Sequence, residues 1–458
     1  MGWILSFILV LSIVLRLGLI TVSPPELFGD EVDVGYQAYS LLKTGGDIYN
    51  QPLPTYIHSL SEWRTPLLMY VTVPSVAVFD LTELGVRLPE IIFGSIAPII
   101  LFLLAYHTTR NKTISILSSL SLSLMPWHLY YSRAAFEVVI MLDLIMLGTL
   151  LFLRKKYLFS SIFFALALYT YSAAIIFIPL WLVSLFLFTR QKPKLVTSVI
   201  FALMLIPLGL SLISGSAQNR FGLLSIFKSS EVIDKIHTLR LNSPGPFEPI
   251  FHNKLESWGL LFSYNYVRAF STDFLFVRGD PVGRHSIQVM GQLLPVTAPL
   301  LVLGLFYLAR QKVWGWLIWL ILAPVPAALT VDGAFHATRL FLMIPPISVA
   351  IGAGIYQVVN RKSKFINLVL LLLFTLNFSW FAHYYLVHYP KTYSRWWQMG
   401  YKSAMSSLAQ LSPNYTKIFI NNTYEPSLIR FLYYAKYSPS DFHRQFTIDQ
   451  PRKNIIPG

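Results

Sequence analysis

The sequence predicts an all-α polytopic membrane protein with about eleven transmembrane helices. Three observations support this prediction: 55% of the 458 residues are hydrophobic, only 12% are charged, and the mean hydropathy is +0.56. Soluble domains contain about 25% charged residues, so half that share is a strong departure. Apolar runs long enough to cross a bilayer account for the composition.

The candidate spans follow one another along most of the chain. They are residues 3–19, 89–106, 114–127, 138–153, 158–171, 175–188, 196–212, 289–308, 314–329, 340–358 and 366–385. The first run has no preceding basic region and no small-residue cleavage site, so we expect a retained helix rather than a signal peptide. Cysteine is absent, which excludes disulfides, thiol catalysis and cysteine-ligated metals.

Five short connections between these runs are basic and contain no acidic residue. Their cations are Arg110 and Lys112; Arg154, Lys155 and Lys156; Arg190, Lys192 and Lys194; Arg310 and Lys312; and Arg361, Lys362 and Lys364. Cytoplasmic loops are enriched in lysine and arginine, so these five loops predict the orientation of the whole chain in the plasma membrane. The net charge of +15 therefore indicates membrane orientation, and we expect no nucleic-acid partner.

The opposite side carries the long connections, and we expect the functional site there, outside the cytoplasm. Residues 1–388 form the predicted membrane domain, with a first outer loop at 21–88 and a second at 214–288. Within the first loop, residues 67–81 are too short to span and include a proline, which predicts an interfacial or re-entrant helix.

Residues 389–458 form a predicted small extracytoplasmic tail of mixed α/β character. Helices are predicted at 396–408 and 425–437, with a strand at 417–421. This is too little for an independent domain, so we expect the tail to pack on the outer loops.

An acidic pair, Asp30 and Glu31, opens the first outer loop. One interpretation is structural: Asp30 caps a helix from Glu31 to Leu42 that ends at Gly45. The other is chemical: a carboxylate at the membrane surface takes a proton from an acceptor hydroxyl, as a general base does. The two interpretations are compatible, because a cap position also fixes the side chain.

The order of further motifs resembles the GT-C superfamily of membrane glycosyltransferases, in particular its protein O-mannosyltransferase and aminoarabinose transferase branch. The matching features are Arg16 near the end of the first span, the Asp30–Glu31 pair, EWRTPL at 62–67, ELGVRLP at 83–89, YSR at 131–133 with Glu137, and FLF at 274–276 followed by Gly279, Asp280, Arg284 and His285. The resemblance covers most of residues 1–350. Arg64 stands where aminoarabinose transferases have a donor-binding lysine, which keeps the charge.

The resemblance implies a GT-C-type helix bundle and an inverting transfer from a polyprenyl-phosphate sugar to an acceptor protein, lipid or envelope glycan. Asp30 would be the base, and Glu31 would orient it or contact the acceptor. Cations should converge on the leaving phosphate, whose negative charge grows in the transition state. The candidates are Arg64, Arg284, His285 and Arg339; the alternative for each arginine is a lipid head-group anchor.

Four further residues have a predicted acceptor-binding or supporting role: Glu62, Arg133, Glu137 and His336. A structural salt bridge explains Arg133 and Glu137 equally well. We expect no required cofactor. A divalent metal is an open possibility, since His58 and Glu62 are four residues apart and would share one helix face.

The main alternative function is a transporter or flippase for lipid-linked sugars, and a polymer ligase is a third possibility. A flippase would share the outer arginines but would not need Asp30. Transporters often show inverted repeats and charges near the bilayer midplane. This chain has no visible internal repeat and few charges within its spans, which favours the glycosyltransferase.

Overall fold

Helices form almost all of the structure, a computed structural model that describes residues 2–59, 63–191, 193–213, 225–242, 245–361 and 363–445. The helices before the second outer loop are α1 (Gly2–Leu17), α2 (Gly29–Thr44), α3 (Leu67–Phe79), α4 (Glu83–Thr109), α5 (Lys112–Leu124), α6 (Pro126–Tyr131), α7 (Val138–Leu153), α8 (Tyr157–Leu168), α9 (Ala173–Thr189) and α10 (Leu195–Ile213). The later helices are α11 (Ser230–Asn242), α12 (Glu248–Phe251), α13 (Lys254–Arg268), α14 (Ala298–Arg310), α15 (Trp314–Leu322), α16 (Val325–Ala328), α17 (Ile344–Val359), α18 (Lys364–His383), α19 (Tyr389–Thr392), α20 (Tyr401–Leu411), α21 (Ser427–Tyr434) and α22 (Pro439–Gln445). Two short strands, β1 (Ile57–His58) and β2 (Trp63–Arg64), pair antiparallel with Ile57 opposite Arg64.

Three helical stretches in the described residues are long and apolar enough to cross a membrane: Glu83–Thr109, Phe341–Val359 and Lys364–Thr392. Nine further apolar helices are 10 to 17 residues long. Each of the eleven predicted spans overlaps one of these twelve helices, and the twelfth is α3. The helical, membrane-type fold is confirmed, whereas the number of helices that cross the bilayer stays a prediction.

Successive helices of the first half run in alternating directions. Two residues near the end of α1 contact the end of α5 and the short α6 that follows it: the Ser12 hydroxyl lies 3.0 Å from that of Ser123, and the Arg16 guanidinium lies 2.8 Å from His128 Nδ1. Gly94, in the first half of α4, lies against Arg16. We call this end of the bundle, where α1 and α5 finish and α4 and α7 begin, the Asp30 end; the other is the basic end.

Small residues allow α17 to lie in the centre of the second half. A side chain at Gly304 of α14 would overlap the Ala350 carbonyl of α17, and one at Gly354 would overlap the Leu300 carbonyl of α14. On the opposite face, Gly352 lies directly against Ser118 of α5. Close backbone approach through small residues is typical of helix packing in membranes, where apolar burial alone gives little driving force.

Helix α3 begins and ends near the Asp30 end. Its first residue donates from its backbone N–H to the Tyr169 carbonyl, 3.1 Å away, just beyond the end of α8. Its last residue is followed within four positions by the start of α4. Since α8 ends and α4 begins at the same end of the bundle, α3 does not cross it, which supports the interfacial interpretation of residues 67–81.

The tail packs on the first outer loop, mainly on α2. Tyr36 donates to the Tyr437 carbonyl at 3.0 Å, and the His443 ring lies 3.0 Å from the Asp47 carbonyl. Helices form near both predicted positions, as α20 and α21, but the predicted strand at 417–421 is wrong, since those residues are irregular. A strand needs a neighbouring strand for its hydrogen bonds, and the described part of the tail contains none beside residues 417–421. Phe419, in the middle of this segment, is 92% exposed.

Candidate active site

Glu31 anchors the first turn of α2 from inside the protein. Its carboxylate is fully buried and accepts two hydrogen bonds from Arg87, at 2.8 and 2.9 Å. It also accepts from the backbone N–H groups of Ala135 at 3.0 Å and Phe28 at 3.3 Å. The helix thus begins with a capping interaction by Glu31 and not, as the structural interpretation had it, with Asp30 as the cap. It ends as predicted at Gly45, whose φ of 74° is left-handed.

Asp30 faces the other way. Its side chain is 50% exposed, and one carboxylate oxygen lies 2.6 Å from an Nη of Arg64. Asp33, one turn along α2, has a carboxylate oxygen 3.6 Å from Arg64 Nε. The guanidinium therefore lies between two carboxylates, and the β1–β2 pair fixes the backbone of Arg64 there.

Asp33 had no assigned role in the interpretation of the sequence. It is 3% exposed, and burial raises its pKa to about 6. Arg64 opposes that rise, while the charge of Asp30 adds to it. The signal in the sequence was its spacing: a carboxylate three residues after Asp30 lies on the same helix face.

The second outer loop brings Arg284 and His285 to the start of α2. The Arg284 guanidinium carbon lies 4.3 Å from the centre of the Phe28 ring, two residues before Asp30. Within the described ranges Arg284 takes part in no ion pair, and its buried Nε has no hydrogen-bond partner. Among the described residues no carboxylate forms an ion pair with this guanidinium, which makes Arg284 a candidate to bind an anionic ligand.

His285 lies close to the same residues. Its Nδ1 is 3.0 Å from the Tyr131 hydroxyl, and its ring centre is 5.4 Å from that of His336. Burial, and then the neighbouring His336 and Arg284, lower the pKa of His285 well below its usual range. The charge of Asp30 acts in the opposite direction, which places Asp30 within electrostatic reach of the ring. His285 is therefore neutral at pH 7 and contributes hydrogen bonds rather than charge.

Asp280 holds the two histidine-bearing segments together. One oxygen accepts from the Val282 N–H and the other from the Ala337 N–H, both at 2.8 Å. Burial raises the pKa of Asp280 to about 7, against the lowering effect of these two bonds. Asp280 belongs to one of the sequence motifs named above. The sequence alone did not predict that it joins two segments that are distant along the chain.

Arg339 already has partners within the protein, Thr330 and Asp332. Its guanidinium donates to the Thr330 hydroxyl at 2.7 Å and to the Asp332 carboxylate. The residue is 8% exposed, while the Asp332 side chain is 59% exposed. A phosphate at this position would therefore compete with Asp332 for the guanidinium.

The three remaining predicted residues are Arg133, Glu137 and Glu62. Arg133 donates to carbonyls at the end of α1 and just beyond it: those of Leu15, Arg16, Gly18, Leu19 and Ser23. Its side chain therefore closes a helix, and the predicted salt bridge to Glu137 is not among these contacts. Glu137 precedes α7. Glu62 lies outside the described residues.

No group of three or more histidine and acidic residues suited to a metal occurs in the part of the chain that the structure describes. The predicted pair of His58 and Glu62 lies partly outside it. Asp30 and Asp33 do not fit a divalent cation, because the Arg64 guanidinium already lies between their carboxylates. The positive charge that a metal would supply there comes from the protein.

No protein-family model and no curated protein sequence matches the chain. Solved membrane proteins do match its structure. ArnT from Cupriavidus metallidurans bound to undecaprenyl phosphate has a TM-score of 0.54 at 14% identity, over 95% of this chain and 85% of that one. The Archaeoglobus fulgidus oligosaccharyltransferase in complex with zinc and sulfate has a TM-score of 0.52 at 14% identity, over 98% of this chain and 59% of that one.

A third structure, the archaeal oligosaccharyltransferase AglB from A. fulgidus in complex with an inhibitory peptide and a dolichol-phosphate, has a TM-score of 0.50 at 13% identity, over 93% of this chain and 60% of that one. The chain thus spans about three fifths of the archaeal enzyme and most of ArnT. At these identities the comparisons establish the fold alone. The chain therefore has the fold of these solved membrane proteins, a helix bundle of the kind that its resemblance to the GT-C superfamily implied.

Proposed function

We propose that the chain is an inverting glycosyltransferase that moves a sugar from a polyprenyl-phosphate donor to an acceptor hydroxyl or amine. The observation that supports this most is the meeting of an exposed carboxylate, Asp30, with two cations of different character. Arg64 is held between carboxylates, and Arg284 has no counter-ion in the described residues. A base and a cation without an ion partner in the described residues, both within electrostatic reach of His285, suit an acid–base displacement with an anionic leaving group.

The proposed reaction is a single displacement. Asp30 accepts the proton of the acceptor O–H or N–H while the acceptor atom bonds to the anomeric carbon. The bond from that carbon to the phosphate oxygen breaks, and its electron pair leaves with the phosphate. Arg284 stabilises the added negative charge, and Arg64 supports it from the Asp30 side. Attack opposite the leaving group inverts the anomeric configuration.

His285 and His336 form the wall between the base and Arg339 in this proposal. His285 is neutral, so it donates or accepts hydrogen bonds to sugar hydroxyls without adding to the positive charge. Tyr131 fixes the ring by its hydroxyl. We assign no step to a metal, since Arg64 supplies the charge between Asp30 and Asp33.

Turnover by Asp30→Asn tests the proposal. Asparagine keeps the shape of the side chain but cannot take the proton, and loss of a general base costs roughly 10²- to 10⁴-fold in rate. The assay is transfer from a polyprenyl-phosphate sugar in membranes, after membrane abundance and donor binding have been shown to be normal. Asp234→Asn, at an exposed position on α11, is the matched control.

Near-normal transfer by Asp30→Asn would remove Asp30 from the mechanism. A flippase is the alternative outcome: lipid-linked sugar would cross the membrane equally well in wild type and variant, and no transfer would be detected in either. These two results separate a wrong base from a wrong class of protein.

The proposed side of the reaction is extracytoplasmic, in the plasma membrane. The five basic loops support it. Reporter fusions at Lys155 and Lys312 should report the cytoplasm, and fusions within residues 225–256 should report the outside. A cytoplasmic signal from 225–256 would reverse the orientation and with it the side from which the donor enters.

A further inference from the structure

A cavity lies at the basic end of the bundle, far from Asp30. It has a volume of about 500 Å³ and is lined by the last turns of α4, α7 and α9 and by the start of α15. Arg87, which holds Glu31, is in the first turns of α4, whereas Thr108 of the cavity is in its last turn. At 1.5 Å per residue the two are about 30 Å apart, so the cavity is no extension of the site described above.

Three tryptophans make the inner wall of this cavity rigid. The indole N–H of Trp316 donates to Thr108 at 2.9 Å, that of Trp181 to Thr149 at 2.8 Å, and that of Trp319 to the Leu342 carbonyl at 2.8 Å. Trp181 and Trp319 pack with ring centres 4.8 Å apart. Since all three polar atoms are used, the rings present apolar surface to the cavity.

The mouth of the cavity is cationic. Lys312 and His107 line it, and Arg110 and Arg154 are close enough to act electrostatically on the His107 ring. No ion pair of the described residues includes Lys312, Arg110 or Arg154. The five basic loops hold no acidic residue that would balance these charges.

We propose that this cavity binds one anionic phospholipid from the surrounding leaflet. The phosphate lies at Lys312 and His107, and one acyl chain lies against the tryptophans. An apolar wall behind a cationic mouth calls for a ligand that is apolar at one end and anionic at the other. The volume falls in the range of about 300–1,000 Å³ typical of ligand sites. The bound lipid ties the ends of α4, α7 and α9 to α15, and this role is independent of the proposed transfer reaction.

The test uses the full-length protein in a neutral detergent, with phosphatidylglycerol or phosphatidylcholine as the added lipid. Native mass spectrometry counts bound lipid, and the thermal unfolding midpoint reports stabilisation. We expect one tightly bound phosphatidylglycerol, and a midpoint that rises with phosphatidylglycerol and not with phosphatidylcholine. Inorganic phosphate at the same concentration should not raise it, because it lacks the acyl chain.

Two charge-reversal variants distinguish a specific lipid site from general electrostatic attraction of anionic lipid to the basic loops. Lys312→Glu should lower phosphatidylglycerol affinity roughly 5- to 30-fold, since one surface lysine contributes about fivefold and a reversal more. Lys364→Glu, an exposed lysine of another basic loop that does not line the cavity, should change it little. Equal losses in both variants, equal binding of the two lipids, or a shift with phosphate alone would each overturn the proposal.

Discussion

The two faces of α2 carry neighbouring carboxylates, each next to an arginine, in opposite environments. Glu31 is fully buried, and the structure supplies it with four hydrogen bonds, two of them from Arg87. Asp30 is half exposed, and Arg64, which it contacts, is shared with Asp33. A carboxylate with every lone pair occupied can only hold the fold together. One that keeps solvent access and shares its cation can still exchange a proton.

This difference in environment gives the two acidic residues, Asp30 and Glu31, different roles. The sequence predicted a catalytic role for both residues, with Glu31 orienting the base or contacting the acceptor. The contacts of Glu31 are with Arg87 and two backbone N–H groups, so we propose that it positions Asp30 through the first turn of α2. Direct contact of Glu31 with an acceptor would require these bonds to break.

The largest expected effect is on folding, at Glu31. Glu31→Gln leaves Arg87 as a buried cation without its counter-charge, and breaking a buried pair in this way costs about 3–5 kcal/mol. We expect low membrane abundance and a lowered thermal unfolding midpoint in detergent. The double variant Glu31→Gln/Arg87→Met should be closer to wild type than Glu31→Gln alone. Normal stability of Glu31→Gln with loss of transfer would instead assign Glu31 to the chemistry.

A smaller, pH-dependent effect is expected at Asp33. Because burial raises its pKa from 3.8 to about 6, the folded state prefers the protonated form. That stabilisation is fully present below pH 4 and is lost as the pH rises through about 6. The difference corresponds to about 3 kcal/mol.

The measurement is the unfolding midpoint of wild type minus that of Asp33→Asn between pH 4 and 7. The difference should fall as the pH rises. Asp234→Asn, exposed on α11, should show no comparable trend against wild type. A difference for Asp33→Asn that does not vary with pH would mean that Asp33 keeps an ordinary pKa and that Arg64 balances it fully.

The smallest effects are expected for the affinity of the donor, at Arg284 and Arg339. Arg284→Ala should weaken binding of a polyprenyl-phosphate sugar roughly 10- to 100-fold, since a charge-assisted contact contributes about 1.5–3 kcal/mol. Arg339→Ala should lie at the lower limit of that range, because Asp332 already offsets its charge. Unchanged affinity in both variants would make them structural or lipid-anchoring arginines; a larger loss at Arg339 would mean that Asp332 moves away when the donor binds.

Much of the architecture was predictable, because bilayer thickness and backbone hydrogen bonding restrict what a 20-residue apolar run can do. The positions of the apolar helices, the end of α2 at Gly45, and the short α3 follow from such local rules. The strand at 417–421 does not, since a strand exists only with a partner and three apolar residues cannot specify one.

Candidate site residues could be named from the sequence, but their pairings could not, and their roles stay predictions. Asp30, Arg64, Arg284, His285, His336 and Arg339 were identified from motif order. That Arg64 joins Asp30 to Asp33, that Asp332 holds Arg339, and that Arg133 closes α1 depend on contacts between distant segments. Residue type and spacing carry no information about such contacts, and this is why the different environments of Glu31 and Asp30 could not be predicted from the sequence.

The C-terminal tail has a consequence for the order in which the protein becomes complete. The backbone N–H of Gly29, beside the proposed base, donates to Gln398 at 2.7 Å across 369 positions of the chain, and Gln398 is in turn held by Arg430. The chain must therefore be synthesised as far as Arg430 before the first turn of α2 has these partners. A chain that stops before Gln398 would leave the Gly29 N–H, beside the proposed base, without this hydrogen bond.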